Sequence, residues 1–237
     1  MYIKSLRTGL FKAKYLEVAR MKFPLMFLIL SITLTGNAYA FHSLDGVSLD
    51  EYLVEQGISH FPDGHIRYGG TTQPDFFLDL LSKHPEIRVI GEVGFNAGHS
   101  SDLFLSARKN TEVYSFDIMQ HPYVRHGKKY IDLKYPSRHT LTAGNSVFSI
   151  PNFFSQTERP IFDLIFIDGG HTGQVPFHDI LNMRYFAHKN TIVVVDDYSY
   201  PDVKKALDKC ANNDLLVIDK VFRSKHKVWA MCKYLYN

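Results

Sequence analysis

The chain has 237 residues, of which 45% are hydrophobic, which is enough for one sizeable α/β domain and too little for two large ones. Residues 1–40 contain six of the 27 Lys and Arg residues but only one of the 24 Asp and Glu residues, so the remaining chain carries a net charge of −2. Because that remainder has no positive surplus to attract phosphate, the composition gives no support for a nucleic-acid partner.

The beginning of the chain has the pattern of an export signal. Met21 and Lys22 give a charged start, residues 23–34 are almost wholly apolar, and Ala38-Tyr39-Ala40 matches a small-residue cleavage site. The apolar core of about 12 residues is shorter than the roughly 20 that a membrane-spanning helix needs. Residues 1–40 therefore predict a leader with a signal peptide cleaved after Ala40, and a periplasmic or secreted protein. An uncleaved membrane anchor, or a buried or disordered leader in a cytoplasmic protein, stays open.

Residues 41–85 predict a small helical cap before the main domain. One short helix fits around Leu49–Glu55, and a loop rich in turn residues follows at 60–64. A second helix is expected after Thr72, which would be its N-cap, because Pro74 falls in the first turn.

Residues 86–237 alternate between strand and helix patterns and predict one domain. We expect strands at 87–93, 112–117, 138–142, 161–168 and 190–196, and helices at 99–108, 123–133, 146–156, 173–187 and 201–211. The runs at 161–167 and 191–195 are uniformly apolar, which is typical of central parallel strands covered on both faces. The last strands, Leu215–Asp219 and Lys227–Tyr234, have a link too short for a parallel crossover. The pattern predicts a doubly wound, Rossmann-like α/β sheet, mostly parallel with an antiparallel C-terminal strand.

The two cysteines, Cys210 and Cys232, do not decide the redox compartment. They could form a disulfide in an oxidising compartment, or they could be two small apolar residues. The sequence has no Cys-x-x-Cys motif and no Cys/His cluster, so it predicts no zinc site.

A glycine-spaced turn follows the first strand of this domain and runs into a helix. The segment 89–100 reads Val-Ile-Gly-Glu-Val-Gly-Phe-Asn-Ala-Gly-His-Ser. Such a junction turns backbone N–H groups and a positive helix end toward a ligand. The spacing fails the Gly-x-Gly-x-x-Gly pattern of dinucleotide sites, because Asn96 stands where a middle glycine would be. Asn tolerates positive φ, so a tight turn survives. A strand–turn–helix corner without a ligand is the alternative.

Polar residues end the later strands, where open parallel sheets bind their ligands. Asp117 ends the second strand, and a carboxylate there can accept both hydroxyls of a ribose; capping the next helix is the alternative. Asp168, at the end of the fourth strand, and Asp196 and Asp197, at the end of the fifth, would lie close together at the same edge of the sheet and repel each other. A divalent cation would relieve their repulsion, and oxygen ligands favour Mg²⁺, Mn²⁺ or Ca²⁺. His171 is placed to take a proton from a substrate hydroxyl. Helix capping and a loop histidine are the alternatives.

Three motifs resemble those of class I S-adenosylmethionine-dependent methyltransferases, in the group with the macrocin-type and catechol-type metal-dependent O-methyltransferases. They are the acidic-x-Gly-x-x-x-Gly loop from Glu92, the Ser-Phe-Asp ending at Asp117, and the Asp-Gly-Gly-His starting at Asp168. The resemblance implies a Mg²⁺ ion held by Asp168, Asp196 and Asp197, with Asp168 and His171 as the catalytic residues and His171 as the base. Catechol-type relatives have lysine at the position of His171, which argues against simple transfer of a catechol substrate. The resemblance implies S-adenosylmethionine contacts from Thr72, Glu92, Gly94, Asn96, Gly98, Ser100, Asp117, Asn145 and Asp168.

Two functions are therefore open on the sequence. The first is metal-assisted O-methylation of a small hydroxylated acceptor, a sugar or a phenol, with loops at 41–75 and 120–137 shaping the acceptor pocket. The second is an exported, non-catalytic module that binds a nucleoside, since S-adenosylmethionine is made in the cytosol. A dehydrogenase is disfavoured by the glycine spacing. Asn145 can offer a donor and an acceptor to an adenine edge, or it can cap the following helix.

Overall fold

The computed structural model describes residues 44, 46–58, 72–156 and 158–236. The predicted export signal, its cleavage site after Ala40 and the loop at 60–64 lie outside the described residues and stay predictions. Within the described residues, no helix has the length and apolar character required to cross a membrane.

The centre of the molecule is a seven-stranded sheet with the order β3-β2-β1-β4-β5-β7-β6. Strand β7 runs antiparallel to both of its neighbours, and the other neighbouring strands are parallel. The predicted sheet, mostly parallel with one antiparallel strand near the C-terminus, is confirmed. The strands are β1 Val89–Val93, β2 Glu112–Asp117, β3 His139–Ala143, β4 Phe162–Ile167, β5 Ala187–Val195, β6 Leu216–Arg223 and β7 Val228–Tyr234.

Seven α-helices of the described residues flank the sheet. They are α1 Leu49–Glu55, α2 Thr72–Lys83, α3 His99–Ala107, α4 Tyr123–Lys134, α5 Ser146–Phe154, α6 Val175–Met183 and α7 Pro201–Asn212. Helix α1 has the predicted bounds. Helix α2 begins at Thr72, which was predicted to be the N-cap before the helix. The helix predicted at 173–187 ends earlier, because Ala187 pairs with Phe162 of β4 and must therefore be extended.

The core has two layers, one on each face of the sheet, because successive residues of the central strands point to opposite faces. In β4, Leu164 and Phe166 belong to one buried cluster, and Ile165 and Ile167 belong to the other. Helices α1 to α4 contribute to the first layer and α5 to α7 to the second. The apolar side chains of α1 and α2 join the first cluster, so the predicted cap packs directly on the sheet. The two cysteines are buried free thiols in the second layer.

The antiparallel direction of β7 decides which side chains reach the carboxyl edge of the sheet. Strands β1 to β5 all end at that edge, whereas β7 begins there. The backbone N–H of Tyr198, after the end of β5, donates to the carbonyl of Val228, the first residue of β7, at 2.8 Å. Residues that precede β7 therefore stand beside residues that follow β4 and β5.

Candidate functional site

A cavity of about 430 Å³ opens at this carboxyl edge. Most of the site residues that the sequence predicts line it together. Glu92, Gly98 and Asp196 do not line it, and the side chain of Thr72 lies outside the described part of the chain. The predicted residues that line the cavity are Gly94, Asn96, Ser100, Asp117, Asn145, Asp168, His171 and Asp197.

The glycine loop forms one wall of the cavity through its backbone. Gly94 and Gly98 have φ values of 94°, and Asn96 has a φ of 52°, so the expected tolerance of Asn96 for positive φ is confirmed. A Cβ atom at Gly94 would clash with the carbonyl oxygen of Asp168, and a Cβ at Gly98 would contact the Phe95 ring at 2.7 Å. The loop therefore needs glycine at both positions, and it exposes main chain rather than side chain to a ligand.

Glu92 lies beneath this loop and is completely buried. The hydroxyls of Ser100, Ser101 and Ser115 donate to its carboxylate, the last two at 2.7 and 2.5 Å. Burial raises the pKa of Glu92, and the three hydroxyl groups oppose that rise. The structure thus gives Glu92 a supporting role, tying α3 to β1 and β2, instead of the direct cofactor contact expected from the sequence.

Asp117 is held rigidly at the end of β2. One carboxylate oxygen accepts from the backbone N–H of Asn96 at 2.8 Å, and the other accepts from the N–H of Met119 at 2.7 Å. Each oxygen keeps a lone pair that can accept a further hydrogen bond. A carboxylate oriented in this way, beside the glycine loop, can accept the hydroxyls of a ribose.

Asn145 lines the cavity and also caps a helix. Its side-chain oxygen accepts from the N–H of Val147 at 3.0 Å, at the N-terminus of α5. The capping interpretation is confirmed, and the amide nitrogen is the group left for a base edge. The predicted acceptor loop at 120–137 is mainly helix α4, and it contributes Gln120, His121 and Val124 to the lining.

The opposite wall carries the acidic residues that end β4 and β5. Ile167 pairs with Val195, so Asp168 and Asp196, one residue later on each strand, stand side by side. The ammonium group of Lys227 forms an ion pair with Asp196 and lies 3.9 Å from the nearer carboxylate oxygen of Asp168. Sequence reasoning missed Lys227, although it had placed the start of an antiparallel strand at this residue, which was the available signal.

The charges on this wall depend on one another. Burial and the neighbouring Asp196 raise the pKa of Asp168 well above its usual range, and Lys227 opposes the rise. Burial disfavours the charge on Lys227, but Asp168 and Asp196 more than compensate, and its pKa rises above the ordinary value for lysine. The ammonium thus stays protonated between its two carboxylate neighbours at neutral pH.

The predicted metal ligands do not fit a divalent cation in this arrangement. Lys227 pairs with one carboxylate oxygen of the buried Asp196, and Asp196 lies apart from the 430 Å³ cavity, in a much smaller one beside Asp168, Asp197 and His171. Among the described residues, no group of three His, Cys, Asp or Glu side chains is gathered as a metal site. The described residues therefore do not present the three free carboxylates expected from the sequence, because Lys227 occupies an oxygen of Asp196 and lies close to Asp168.

His171 faces the same cavity with an acidic neighbour. Its Nδ1 atom lies 3.4 Å from a carboxylate oxygen of Asp197, and its ring contacts the ring of Tyr200 with centroids 4.5 Å apart. Asp197 itself has a φ of 55°, a conformation that is uncommon for a residue with a side chain. A histidine beside a carboxylate can accept a proton from a hydroxyl group.

Comparison with known proteins agrees with this geometry. Residues 92–198 match the family model described as a methyltransferase domain. That segment includes the glycine loop, Asp117, Asp168, His171 and Asp197. No curated protein matches the sequence. The family match over residues 92–198, the strand order and the glycine loop together indicate similarity to the class I S-adenosylmethionine-dependent methyltransferases.

Solved structures share the fold at low sequence identity. An O-methyltransferase from Bacillus cereus, in complex with SAH, has 15% identity and a TM-score of 0.64, covering 79% of this chain and 90% of that one. TomG from Streptomyces achromogenes, an O-methyltransferase of tomaymycin synthesis solved with SAM, has 14% identity and a TM-score of 0.60, covering 82% and 90%. A Staphylococcus aureus protein given the provisional name caffeoyl-CoA O-methyltransferase has 14% identity and a TM-score of 0.61, covering 80% and 94%.

Proposed function

We propose that this protein is a methyltransferase that transfers the methyl group of S-adenosylmethionine to a hydroxyl oxygen of a small molecule, a sugar or a phenol. The observation that carries the proposal is the pairing of His171 with Asp197 in the cavity that also contains the glycine loop and Asp117. The residues proposed to bind the nucleoside and the residue proposed as the base line the same cavity. Structural neighbours that are described as O-methyltransferases support the choice of oxygen as the acceptor atom.

The cofactor half of the proposal uses the β1–β2 side of the cavity. The backbone of the glycine loop would face the methionine part and the sugar, Asp117 would accept the ribose hydroxyls, and Asn145 would meet the base. These residues offer hydrogen bonds and shape, which is what positions a sulfonium group for attack. Ser100 supports this wall through its hydrogen bond to Glu92.

The chemical step needs an acceptor oxygen aligned with the methyl group and relieved of its proton. The oxygen attacks the methyl carbon, the carbon–sulfur bond breaks, and the sulfur keeps the bonding electrons to give S-adenosylhomocysteine. The hydroxyl proton passes to His171, and Asp197 orients the imidazole and stabilises its charged form. Tyr200 beside the imidazole, about 44% exposed, offers an apolar ring face to a sugar or phenol ring.

Metal assistance, which the sequence predicts, has no part in these steps because Lys227 holds Asp196. Divalent-cation chemistry would need Lys227 to leave its carboxylate partner. Export of the protein is proposed from residues 1–40 alone, and sequencing the N-terminus of the mature protein from its native host tests it. A mature chain that begins at Phe41 is the expected result, and an intact leader contradicts it.

The test combines cofactor binding with transfer of a labelled methyl group to a panel of sugars and phenols. We expect His171→Gln to bind the cofactor normally and to transfer methyl at least about a hundredfold more slowly, the size of a general-base contribution. His84→Gln is the matched control, because His84 lies before β1, at the opposite end of the sheet, and pairs with Glu86. Full activity of His171→Gln contradicts the assignment of the base. Cofactor binding without transfer to any acceptor favours the non-catalytic nucleoside-binding module.

A further inference from the structure

Lys227 is the only lysine that is buried among the described residues. Its side chain is 7% exposed, and the side chain of its partner Asp196 is fully buried. An ammonium group leaves water at a large free-energy cost unless a carboxylate compensates for the lost hydration. The position of Lys227 therefore depends on the carboxylates around it, and their position depends on Lys227.

The backbone fixes Lys227 at this edge of the sheet. Arg223 of β6 pairs with Val228 of β7, which leaves a four-residue turn between the strands. Within the turn, the N–H of Ser224 donates to the carbonyl of Lys227 at 2.8 Å, and the N–H of Lys227 donates to the hydroxyl of Ser224 at 3.0 Å. The lysine is thus the last residue of a closed turn and not part of a loose segment.

One ammonium group serves two carboxylates on adjacent strands. It pairs with the fully buried Asp196 and lies 3.9 Å from Asp168, which lines the cavity and whose side chain is 32% exposed. Two neighbouring carboxylates repel each other, and a cation beside them lowers that repulsion. A lysine supplies that charge from within the chain, so the charge is present whether or not a metal ion is available.

We propose that Lys227, paired with Asp196 and 3.9 Å from Asp168, takes the place in this crevice where the sequence predicts a divalent metal. It acts as a positioning residue that holds Asp168 at the cavity wall. Methyl transfer by this protein is then independent of divalent cations. The statement about methyl transfer depends on the proposed function, whereas the statement about the cation can be tested without any acceptor.

The first test measures Mn²⁺ binding to chelator-treated protein by electron paramagnetic resonance and calorimetry. We expect no specific binding to the wild-type chain. Lys227→Met should gain a Mn²⁺ site, because Asp168 and Asp196 lose their counter-charge and carboxylates favour that ion. Lys233→Met is the matched control, since Lys233 lies near the other end of β7 and pairs with Asp219 at 3.5 Å on the surface. Specific Mn²⁺ binding to the wild type that Asp168→Asn removes would overturn the proposal.

The second test measures the stability of the variants, so that the proposal can be decided even if Lys227→Met folds poorly. Lys227→Met leaves a buried carboxylate without its cation, so its melting temperature should fall clearly below that of Lys233→Met. Adding Asp196→Asn to Lys227→Met should recover most of the loss, because both members of the pair are then neutral. Mn²⁺ should raise the melting temperature of Lys227→Met and leave the wild type unchanged. No loss of stability in Lys227→Met overturns the proposal.

The third test separates this proposal from the proposed function. Wild-type protein should bind S-adenosylhomocysteine with the same affinity in EDTA and in Mg²⁺. If methyl transfer to an acceptor is found and EDTA abolishes it reversibly, the proposed function stands and the lysine proposal fails. If no acceptor is found, the Mn²⁺ and melting measurements still decide the role of Lys227.

Discussion

The acidic groups on the two sides of the carboxyl edge are stabilised in different ways. On the β1–β2 side, Glu92 and Asp117 accept hydrogen bonds from hydroxyl and backbone N–H groups, all of them neutral. On the β4–β5 side, Asp168 and Asp196 share the positive charge of Lys227. The β1–β2 side therefore has carboxylates oriented by hydrogen bonds, which suits binding of a nucleoside. The β4–β5 side has carboxyl groups whose charge is offset by a lysine.

The largest expected effect is on the β1–β2 side, where the glycine loop leaves no room for a side chain at Gly94. Gly94→Ala places a methyl group against the carbonyl oxygen of Asp168 at a φ of 94°. We expect a loss of about 4 kcal/mol in the free energy of unfolding, from strain and overpacking together, and no measurable cofactor binding. Gly57→Ala, at a φ of 79° with nothing near its Cβ, should cost about 1 kcal/mol. Equal effects in urea unfolding contradict the close approach.

Removing the buried carboxylate of Glu92 on the same side should also destabilise the protein. Glu92→Ala leaves three serine hydroxyls without their common acceptor and opens a void beneath the loop. We expect a loss of about 3 kcal/mol in the free energy of unfolding, measured by urea denaturation. Glu112→Ala, at an exposed position that begins the neighbouring strand, should change it by less than about 0.5 kcal/mol. A neutral result for Glu92→Ala contradicts its supporting role.

Asp179 shows what happens to a buried carboxyl group without a lysine. It lies in α6, fully buried, and forms no ion pair in the described part of the chain; burial raises its pKa to about 7, with Ser146 opposing the rise. A proton therefore binds the folded chain more tightly than the unfolded one. The contribution of Asp179 to stability should therefore be greatest below about pH 4, fall as the pH rises to about 7, and be level above that pH.

Asp179→Asn should remove that pH dependence. Relative to the wild type, the variant should gain about 3 kcal/mol of stability as the pH rises from 5 to 8, measured by denaturant unfolding at each pH. Asp208→Asn, an exposed residue of α7 paired with Lys204, should follow the wild-type profile. If Asp179→Asn also follows the wild-type profile, the carboxyl group is ionised in the folded chain.

The smallest expected effect concerns Asp117, which does not support the core. Asp117→Asn keeps the shape but weakens acceptance of the ribose hydroxyls, and its amide would face the N–H of Asn96 or Met119. We expect cofactor affinity to fall about tenfold, equal to about 1.4 kcal/mol, in a calorimetric titration. Asp132→Asn, an exposed residue of α4, should leave the affinity unchanged. An unchanged affinity in Asp117→Asn removes the ribose assignment.

Much of the fold follows from local patterns in the sequence. The apolar runs of β4 and β5 fix two buried central strands, and the short link before β7 fixes its antiparallel direction. The helix predicted to reach residue 187 ends at Met183, because the pairing of Ala187 with Phe162 overrides the local helical pattern. A pairing between residues distant in sequence leaves no periodic signal near the helix end.

The site was predictable where function depends on the backbone, and less so where it depends on long-range contacts. The glycine spacing and Asn96 indicate the turn directly. The sequence predicts Glu92 as a cofactor contact, because nothing in it shows that serines from α3 and β2 donate hydrogen bonds to its carboxylate. Lys227 is 31 residues from Asp196 and 59 from Asp168, so their charges meet only through the antiparallel strand.

The central claim is that the crevice holds the adenosyl cofactor with no need for a metal ion. Calorimetric titration of the folded, chelator-treated chain with S-adenosylhomocysteine tests it most directly. We expect saturable binding at a single site, unchanged on adding Mg²⁺ and weakened in Asp117→Asn. Absence of binding in well-folded protein, or binding that appears only when Mg²⁺ is added, would contradict it.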